Sequence, residues 1–274
     1  MGVATHVSVL TAAPSSGVMP LAAPPRLPDV RILDEDPDLA AGLREDELAA
    51  ATRVALARAH VLERGPWTPP RDAPAGAGAI GLLVLGGLMM RSIEIGDRCS
   101  TELLGEGDLL RPWERDTEEG FVPSRVRWTV LEPARVAVLD ARFAAATAAW
   151  PAIASALVGR ALRRSRRQGI FATLSHMNRV DQRVLLAFWY FAERWGRVRP
   201  DGILVRLPVT HEQLGALVGA RRPSVTTALS ALGEAGLLTG VARGEWILTP
   251  AARAAVERLG PPGEALDVPR LVAA

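Results

Sequence analysis

Short apolar segments separated by polar and glycine-containing breaks dominate the first half of the chain. From His60 onward they occupy residues 81–85, 88–95, 100–104, 125–131 and 136–139. The breaks at Gly86-Gly87, Gly96-Asp97 and the segment 105–108 have the composition of hairpin turns. Several short strands at this spacing predict a compact all-β barrel or roll.

Helical patterns flank the strand segments. Residues 36–57 carry acidic side chains early and spaced leucines later, which predicts one or two short amphipathic helices. A helix over 142–149 is expected to lead to Trp150-Pro151, where proline suits the first turn of a new helix. Residues 152–176 then predict a helix of about 25 residues, about 37 Å long. A helix too long for one small core is typical of a dimer seam, and a solvated linker helix is the alternative.

The segment 181–195 is strongly apolar and aromatic. Its aromatic residues have helical spacing without interleaved basic residues, so we interpret it as a buried helix rather than a platform for stacking bases. A short strand is expected to follow over 203–207, after the turn at Asp201-Gly202.

Residues 210–238, THEQLGALVGARRPSVTTALSALGEAGLL, carry the pattern of a helix-turn-helix. Thr210 and Gln213 form a capping box at the start of the first helix, and Gly219 is placed to end it. A tight turn leads into a second helix over 223–233, whose N-terminal side chains would meet base edges in the major groove.

The exposed end of that second helix supplies candidate contacts. An arginine there can pair with guanine through two hydrogen bonds, and hydroxyls at helix N-termini suit phosphate oxygens. Segments 237–242 and 246–249 predict a hairpin wing with Arg243 at its tip. The alternative is an ordinary helical hairpin with a solvated arginine pair. The candidate DNA-binding residues are Thr210, His211, Arg221, Arg222, Pro223, Ser224, Thr226, Thr227 and Arg243.

Charge separates the two halves of the chain. All 32 basic residues are arginine, and the formal net charge is only +2. Residues 1–159 nevertheless carry 15 arginines and 21 acidic residues, whereas residues 160–250 carry 14 arginines and 6 acidic residues. A basic module joined to an acidic one indicates that the C-terminal half meets a polyanion.

Several classes of protein are disfavoured by composition. A single cysteine, Cys99, cannot form an intramolecular disulfide or hold an iron–sulfur cluster, and the four histidines are scattered. We therefore predict no cofactor, no metal site and no catalytic residues. The longest apolar stretch, 80–90, is far shorter than a membrane span, so no membrane association and a cytoplasmic, nucleoid-associated location are expected.

The order of β-roll, long helix and winged helix resembles the Crp/Fnr superfamily of bacterial transcription regulators over about residues 30–250. The strongest local matches are THEQLGALVGARRPSVTTAL, GLLVLGG, LLGEGDLL and VAVLDARF. The resemblance implies an α+β fold with a cyclic-nucleotide-binding-like jelly roll. It also implies a homodimer on a near-palindromic site in double-stranded DNA, with RNA polymerase as a further candidate partner. The expected divisions are a disordered leader (1–29), the roll (30–150), a dimerisation helix (151–178), the DNA-binding domain (179–260) and a tail (261–274).

Carried over to this sequence, the resemblance makes Arg222 the principal guanine-reading residue. It makes Thr210, His211, Arg221 and Ser224 contacts to the DNA backbone. Relatives commonly have glutamate and a second arginine where this chain has Pro223 and Thr227. We therefore expect an operator sequence different from that of the cyclic-AMP receptor protein.

The nucleotide-binding pattern of the family is degenerate in this chain. Pro112 stands about where a ribose-binding glutamate belongs, and Ser124-Arg125 replaces the usual Arg-Ser order. Control by cyclic AMP is therefore not expected, although Arg111, Arg125 and Arg127 form a candidate site for an unknown anionic effector. A ligand-binding signalling module of the same fold is the alternative. A cupin-type enzyme is less favoured because residues 79–139 contain no histidine.

Overall fold

The computed structural model describes residues 26–69, 78–113 and 122–259. The expected tail (261–274) and residues 1–25 of the expected leader lie outside the described residues. Residues 26–29 of the expected leader belong to the first strand, β1 (Arg26–Arg31). Two antiparallel sheets and eight α-helices make up the described residues. The α+β architecture of roll, long helix and winged helix is confirmed.

The roll is one antiparallel sheet of seven strands. After β1 come β2 (Leu56–Leu62), β3 (Gly65–Trp67), β4 (Gly81–Ile95), β5 (Arg98–Gly105), β6 (Leu109–Leu110) and β7 (Arg125–Leu139). The order along the sheet is β1-β2-β7-β4-β5, with β3 on β7 and β6 on β4. Leucine, valine, methionine and tryptophan side chains from these strands fill the interior of the roll.

The predicted hairpin at Gly86-Gly87 is wrong, because β4 runs through both glycines as one strand of 15 residues. The pairing of β4 with β7 shifts register there, and Gly87 has a φ of +85°. A Cβ on Gly87 would lie 2.2 Å from the carbonyl oxygen of Pro133, so the glycine permits a bulge where two backbones approach closely. The segments 125–131 and 136–139 likewise form one strand, β7, because Pro133 lies at this bulge.

Short helices that precede and follow the main strands cover one face of the roll. They are α1 (Ile32–Glu35), a 3₁₀ turn (Pro37–Ala40), α2 (Glu45–Val54) and α3 (Ala141–Thr147). The predicted helical stretch 36–57 extended too far, since β2 begins at Leu56. The inward-facing positions at the start of β2 are Ala57 and Ala59. Because alanine is only weakly hydrophobic, the alternation typical of a strand was not visible in the sequence there.

The long helix α4 (Pro151–Ser175) has the predicted 25 residues. Ile153, Leu157 and Leu174 are buried on its inner side against the rest of the chain. Beyond it, α5 (Val180–Trp195) buries most of its aromatic residues, which confirms the interpretation of this segment as core.

The C-terminal part combines helices with a small sheet. Its remaining elements are β8 (Arg197–Arg199), β9 (Gly202–Arg206), α6 (His211–Val218), α7 (Arg222–Glu234), β10 (Leu238–Ala242), β11 (Glu245–Leu248) and α8 (Pro250–Glu257). The sheet has the order β10-β11-β9-β8. The helices α5, α6, α7 and α8 bury their apolar faces in one core with this sheet.

The core of the C-terminal part continues into the roll. Leu88, Met90, Leu103 and Leu131 from β4, β5 and β7 belong to the same buried cluster as α5, α6 and α7. Gly105 at the end of β5 packs so closely on Trp195 that a Cβ there would lie 2.7 Å from the indole ring. The roll and the C-terminal part therefore share an apolar interface.

Candidate nucleic-acid interface

The first helix of the predicted pair, α6, has the capping that its sequence indicates. The Thr210 hydroxyl accepts a hydrogen bond from the Gln213 amide at 3.1 Å, and the Gln213 side chain accepts one from the Thr210 amide at 2.8 Å. Gly219 ends the helix with a left-handed φ of 67°. The capping box and the left-handed glycine fix both ends of α6, and thereby the turn that leads into α7.

The second helix, α7, has two faces of opposite character. Val225, Ala228, Leu229 and Leu232 are buried against the domain core. The other face and the N-terminal end are exposed, and they carry Arg221, Arg222, Pro223, Ser224, Thr226 and Thr227. All six were predicted from the sequence as contact residues, and the structure brings them together on one surface. The positive end of the helix dipole lies on the same surface.

Hydrogen bonds hold part of this surface in place. The His211 ring nitrogen Nδ1 lies 2.9 Å from the Thr226 hydroxyl, which joins the start of α6 to α7. The hydroxyls of Thr226 and Thr227 donate to the carbonyl oxygens of Arg222 and Pro223 at 3.1 and 3.2 Å. These hydroxyl oxygens still have acceptor capacity for a further donor.

The wing is a hairpin with a two-residue tip. Ala242 pairs with Glu245, which leaves Arg243 and Gly244 at the turn, and Gly244 has a φ of +75°. Arg243 is exposed, as its predicted place at the tip requires. On the neighbouring strand β9, Arg206 forms an ion pair with Glu245 at 2.9 Å.

Arg183 on α5 is a positioning residue that the sequence did not reveal. Its guanidinium donates to the carbonyl oxygen of Gly219 at 2.8 Å and to that of Met177 at 2.7 Å. The first bond satisfies a carbonyl at the C-terminal end of α6, where cations are favoured. Because this pairing spans 36 residues, no local sequence pattern reports it.

The three arginines of the predicted effector site do not converge. Arg111 follows β6, which pairs with β4 at Leu82 and Leu83, whereas Arg125 lies opposite Glu94 at the other end of β4. Arg127 forms an ion pair with Glu94 and is exposed. None of the three arginines lines either of the two cavities described below.

A cavity of about 700 Å³ lies between β4, β5, α4 and α6. Glu102 on its wall binds Arg91 at 3.2 Å, Arg164 at 2.5 Å and the Gln168 side chain at 3.1 Å. Burial alone would raise the pKa of Glu102, but the hydrogen bonds and charges of Arg164 and Arg91 outweigh burial and hold the pKa below its ordinary value. Glu102 is therefore ionised and already neutralises arginines that face this space.

Asp108 joins the roll to two helices. It is 4% exposed, and its carboxylate binds Arg167 of α4 at 3.1 Å and Arg194 of α5 at 2.8 Å. It also accepts a hydrogen bond from the Gly105 amide at 2.9 Å. Sequence analysis placed Asp108 in a turn but gave no partner for it, because both arginines lie far along the chain.

Other kinds of site are not found in the described residues. Within residues 26–69, 78–113 and 122–259, no three His, Cys, Asp or Glu side chains are grouped to hold a metal ion. The helices in those ranges include none with the length and apolar character to cross a membrane.

The fold and the exposed helix define the class of protein: a winged helix-turn-helix attached to a β-roll through a long helix. Residues 182–253 match the family described as the Crp-like helix-turn-helix domain. No curated protein matches the chain in sequence.

Solved structures extend the likeness to the whole architecture. A CooA variant from Carboxydothermus hydrogenoformans has 17% identity and a TM-score of 0.54, over 70% of this chain and 83% of that one. FixK2 from Bradyrhizobium japonicum has 16% identity and a TM-score of 0.54, over 76% and 99%. A transcriptional regulator of the CRP/FNR family from Thermus thermophilus has 17% identity and a TM-score of 0.51, over 73% and 98%.

At such identities the solved structures establish the fold, and the domain match establishes the type of helix-turn-helix. Together they confirm the resemblance to the Crp/Fnr superfamily. Residues 182–253 therefore form a Crp-like helix-turn-helix domain within a chain that has the fold of these regulators.

Proposed function

We propose that the protein is a homodimer that binds a near-palindromic operator sequence-specifically and is not controlled by cyclic AMP. The observation that carries this proposal is the exposed N-terminal end of α7, where two arginines and three hydroxyl side chains share one surface. Helices presented in this way read base edges in the major groove. The basic C-terminal half supplies the attraction to phosphate that such binding needs.

Within this surface Arg222 reads a guanine through O6 and N7, as a guanidinium at the start of a recognition helix can. Thr210, His211, Arg221, Ser224 and Thr226 contact the sugar-phosphate backbone, and Arg243 at the wing tip does the same from the other side. Pro223 and Thr227 occupy positions where the operator is expected to differ from that of the cyclic-AMP receptor protein.

The outer side of α4 supports the homodimer. Val158 and Leu162 are 58% and 54% exposed, although both are large and apolar. Together with the exposed Ser155, Ser165 and Gly169 they repeat at alternating intervals of three and four residues. This is the heptad spacing of a coiled-coil seam, and small residues within it allow two helices to approach closely.

A parallel pair of α4 helices would relate two recognition helices by a two-fold axis. Such a dimer binds half-sites about 34 Å apart, which is one turn of DNA. The operator is then approximately palindromic because each subunit reads the same bases. RNA polymerase is a further candidate partner, and the protein would act at the nucleoid in the cytoplasm.

Independence from cyclic AMP is supported by the roll. Pro112 replaces a ribose-binding carboxylate, and Ser124 and Arg125 line neither cavity. In the cavity of about 700 Å³, the carboxylate of Glu102 already binds Arg91 and Arg164. A cyclic phosphate would have to compete with that buried ion pair. No catalytic role is proposed.

Arg222→Ala tests the DNA reading most directly. Specific binding is expected to weaken by about 1–3 kcal/mol, with relaxed preference at one base per half-site. The operator is first selected from a random library with the wild-type protein, and affinities are then measured by gel shift at fixed salt. Arg142→Ala is the matched control, because Arg142 is exposed on α3 and distant from α7 in sequence.

Equal loss in Arg222→Ala and Arg142→Ala would contradict the assignment, since both remove one positive charge. Selection of no preferred sequence by the wild-type protein would favour the signalling-module alternative. Addition of cyclic AMP is expected to leave the affinity unchanged.

A further inference from the structure

A second cavity, of about 480 Å³, lies where the turn after β5 meets α4 and the end of α5. It touches the roll, the long helix and the DNA-binding part at once, and its size suits a small-molecule ligand. Arginine and carboxylate side chains dominate its wall. They are Arg160, Arg163, Arg164, Arg167 and Arg194, with Asp36, Asp38, Glu106, Asp108 and Glu193.

Two guanidiniums in this wall have buried N–H groups without a hydrogen-bond partner among the described residues. They are Nε of Arg167 and Nη1 of Arg194. Arg167 is 5% exposed, and both residues bind Asp108 through their other nitrogens. One carboxylate thus serves two cations, which leaves donors that need acceptors.

Another part of the cavity wall, at Asp36, has a buried acceptor in the same condition. The Asp36 oxygen Oδ2 is buried without a hydrogen-bond partner among the described residues, while Oδ1 binds Arg160. Burial raises the pKa of Asp36 and the charge of Arg160 opposes it, with smaller influences from Asp38, Glu106 and Arg163. This region therefore offers acceptors, with Arg163 as an additional cation.

The cavity wall thus holds unpartnered donors at Arg167 and Arg194 and an unpartnered acceptor at Asp36. A phosphate group can accept from two separate guanidiniums at once because its oxygens point in several directions, and at neutral pH it carries more negative charge than one carboxylate. Hydroxyl groups donate to carboxylates, as Asp36 requires.

We propose that this cavity binds a small hydroxylated phosphate ester, such as a phosphorylated sugar or polyol, with its phosphate on Arg167 and Arg194 and its hydroxyls towards Asp36. The site is distinct from the predicted trio Arg111, Arg125 and Arg127. Because the ligand touches the roll, α4 and α5, its binding stabilises one arrangement of the DNA-binding part relative to the roll. Binding itself does not depend on the proposed DNA function.

Calorimetry on the full chain without DNA tests the site. The probes are glucose 6-phosphate and glycerol 3-phosphate, with glucose and inorganic phosphate as comparisons. At least one ester is expected to bind tenfold or more tightly than either comparison compound. Binding of neither ester would overturn the proposal and indicate that water satisfies the buried donors. Inorganic phosphate binding as tightly as the esters would overturn the assignment of the hydroxyl end.

Variants locate the binding. Arg194→Gln removes one proposed phosphate donor, and the exposed Arg163→Gln removes a cation from the wall with little risk to folding. Arg194→Gln is expected to weaken ester binding by about tenfold, and Arg163→Gln by less, because Arg163 lies near Asp36 and does not bind the phosphate. Arg166→Gln is the control, because Arg166 is exposed on the same helix and does not line the cavity. Equal weakening in the control would indicate nonspecific attraction and overturn the site.

A separate gel-shift titration measures DNA affinity with and without the ester that binds. If calorimetry succeeds and DNA binding is absent altogether, the proposed function fails while the ligand site stands. If DNA binds specifically and no ester binds, the ligand site fails alone.

Discussion

Two buried carboxylates of the roll hold arginines that arrive from distant helices. Glu102 binds Arg164 across 62 residues of sequence, and Asp108 binds Arg167 across 59. Removing one partner from a buried ion pair leaves the other charge uncompensated, which is strongly destabilising. These carboxylates therefore contribute to the attachment of α4 to the roll.

Glu102→Gln is expected to reduce stability at neutral pH by about 3 kcal/mol, because Arg91 and Arg164 lose their counter-charge. The folded pKa of Glu102 lies below its ordinary value of 4.5. The stability that ionised Glu102 adds to the folded state is therefore fully present above pH 4.5. It is lost as the pH falls through the lower pKa that Glu102 has in the folded state. Denaturant unfolding at a series of pH values from 7 to about 3 measures this.

The variant should lose less stability than the wild type over the acid range, because the amide does not titrate. Parallel pH curves for the two proteins would contradict the lowered pKa of Glu102. Asp97→Asn is a suitable control, since the Asp97 side chain is 91% exposed.

Residues whose role depends on near neighbours were predictable from sequence. Thr210, Gln213 and Gly219 form caps within a few positions of one another, so their chemistry is visible in the sequence. The exposure of Arg222 followed from the helical spacing around it. Glu102, Asp108 and Arg183 were missed because their partners are brought near only by the tertiary fold.

Among the elements, the end of α6 combines a special backbone conformation with a close contact. A Cβ on Gly219 would lie 2.7 Å from Cβ of Ser175 at the end of α4, in addition to the strain of a positive φ. Gly219→Ala is therefore expected to cost clearly more than the roughly 1 kcal/mol of the backbone conformation alone. Thermal unfolding measures the loss.

Gly236→Ala separates the two contributions. Gly236 has a φ of +66° and nothing within 4 Å of the added Cβ, so only the conformational cost applies. The difference between the two variants reports the contact of α6 with α4. Equal destabilisation by Gly219→Ala and Gly236→Ala would show that α4 and α6 move apart at Ser175 with no loss of stability.

The strands were predicted less well than the helices. Glycines at 86 and 87 resemble a hairpin turn locally, and only the closeness of β7 shows that they form a bulge. The strand β2 was missed because alanines cover much of its inner face. Helix α4 was predictable because Pro151 marks its first turn and its length needs no knowledge of the fold.

At the scale of the whole molecule, the proposed homodimer predicts that one added negative charge on α4 separates the subunits. Leu162→Glu places a carboxylate in the proposed seam, where two copies would face each other, and is expected to yield monomers. Because each subunit then binds one half-site without its partner, operator affinity should fall by about 100-fold or more. Analytical ultracentrifugation and gel shift measure the two effects.

Ile95→Glu is the matched control, because Ile95 is 47% exposed on the roll and outside the proposed seam. It should remain dimeric and bind the operator normally. A dimeric Leu162→Glu protein would contradict α4 as the seam.

Because the roll and the C-terminal part share an apolar interface, neither part can be transferred to another protein unchanged. Removal of the DNA-binding part would expose four apolar side chains of the roll, Leu88, Met90, Leu103 and Leu131. The core of the removed part would be exposed to water on the side that packed against them. Grafting this DNA-binding part onto another sensor would therefore require those four roll side chains, or substitutes for them, to be transferred as well. The DNA-binding part is held to its own roll by packing, so substitutions on the two sides of this interface are expected to compensate for one another.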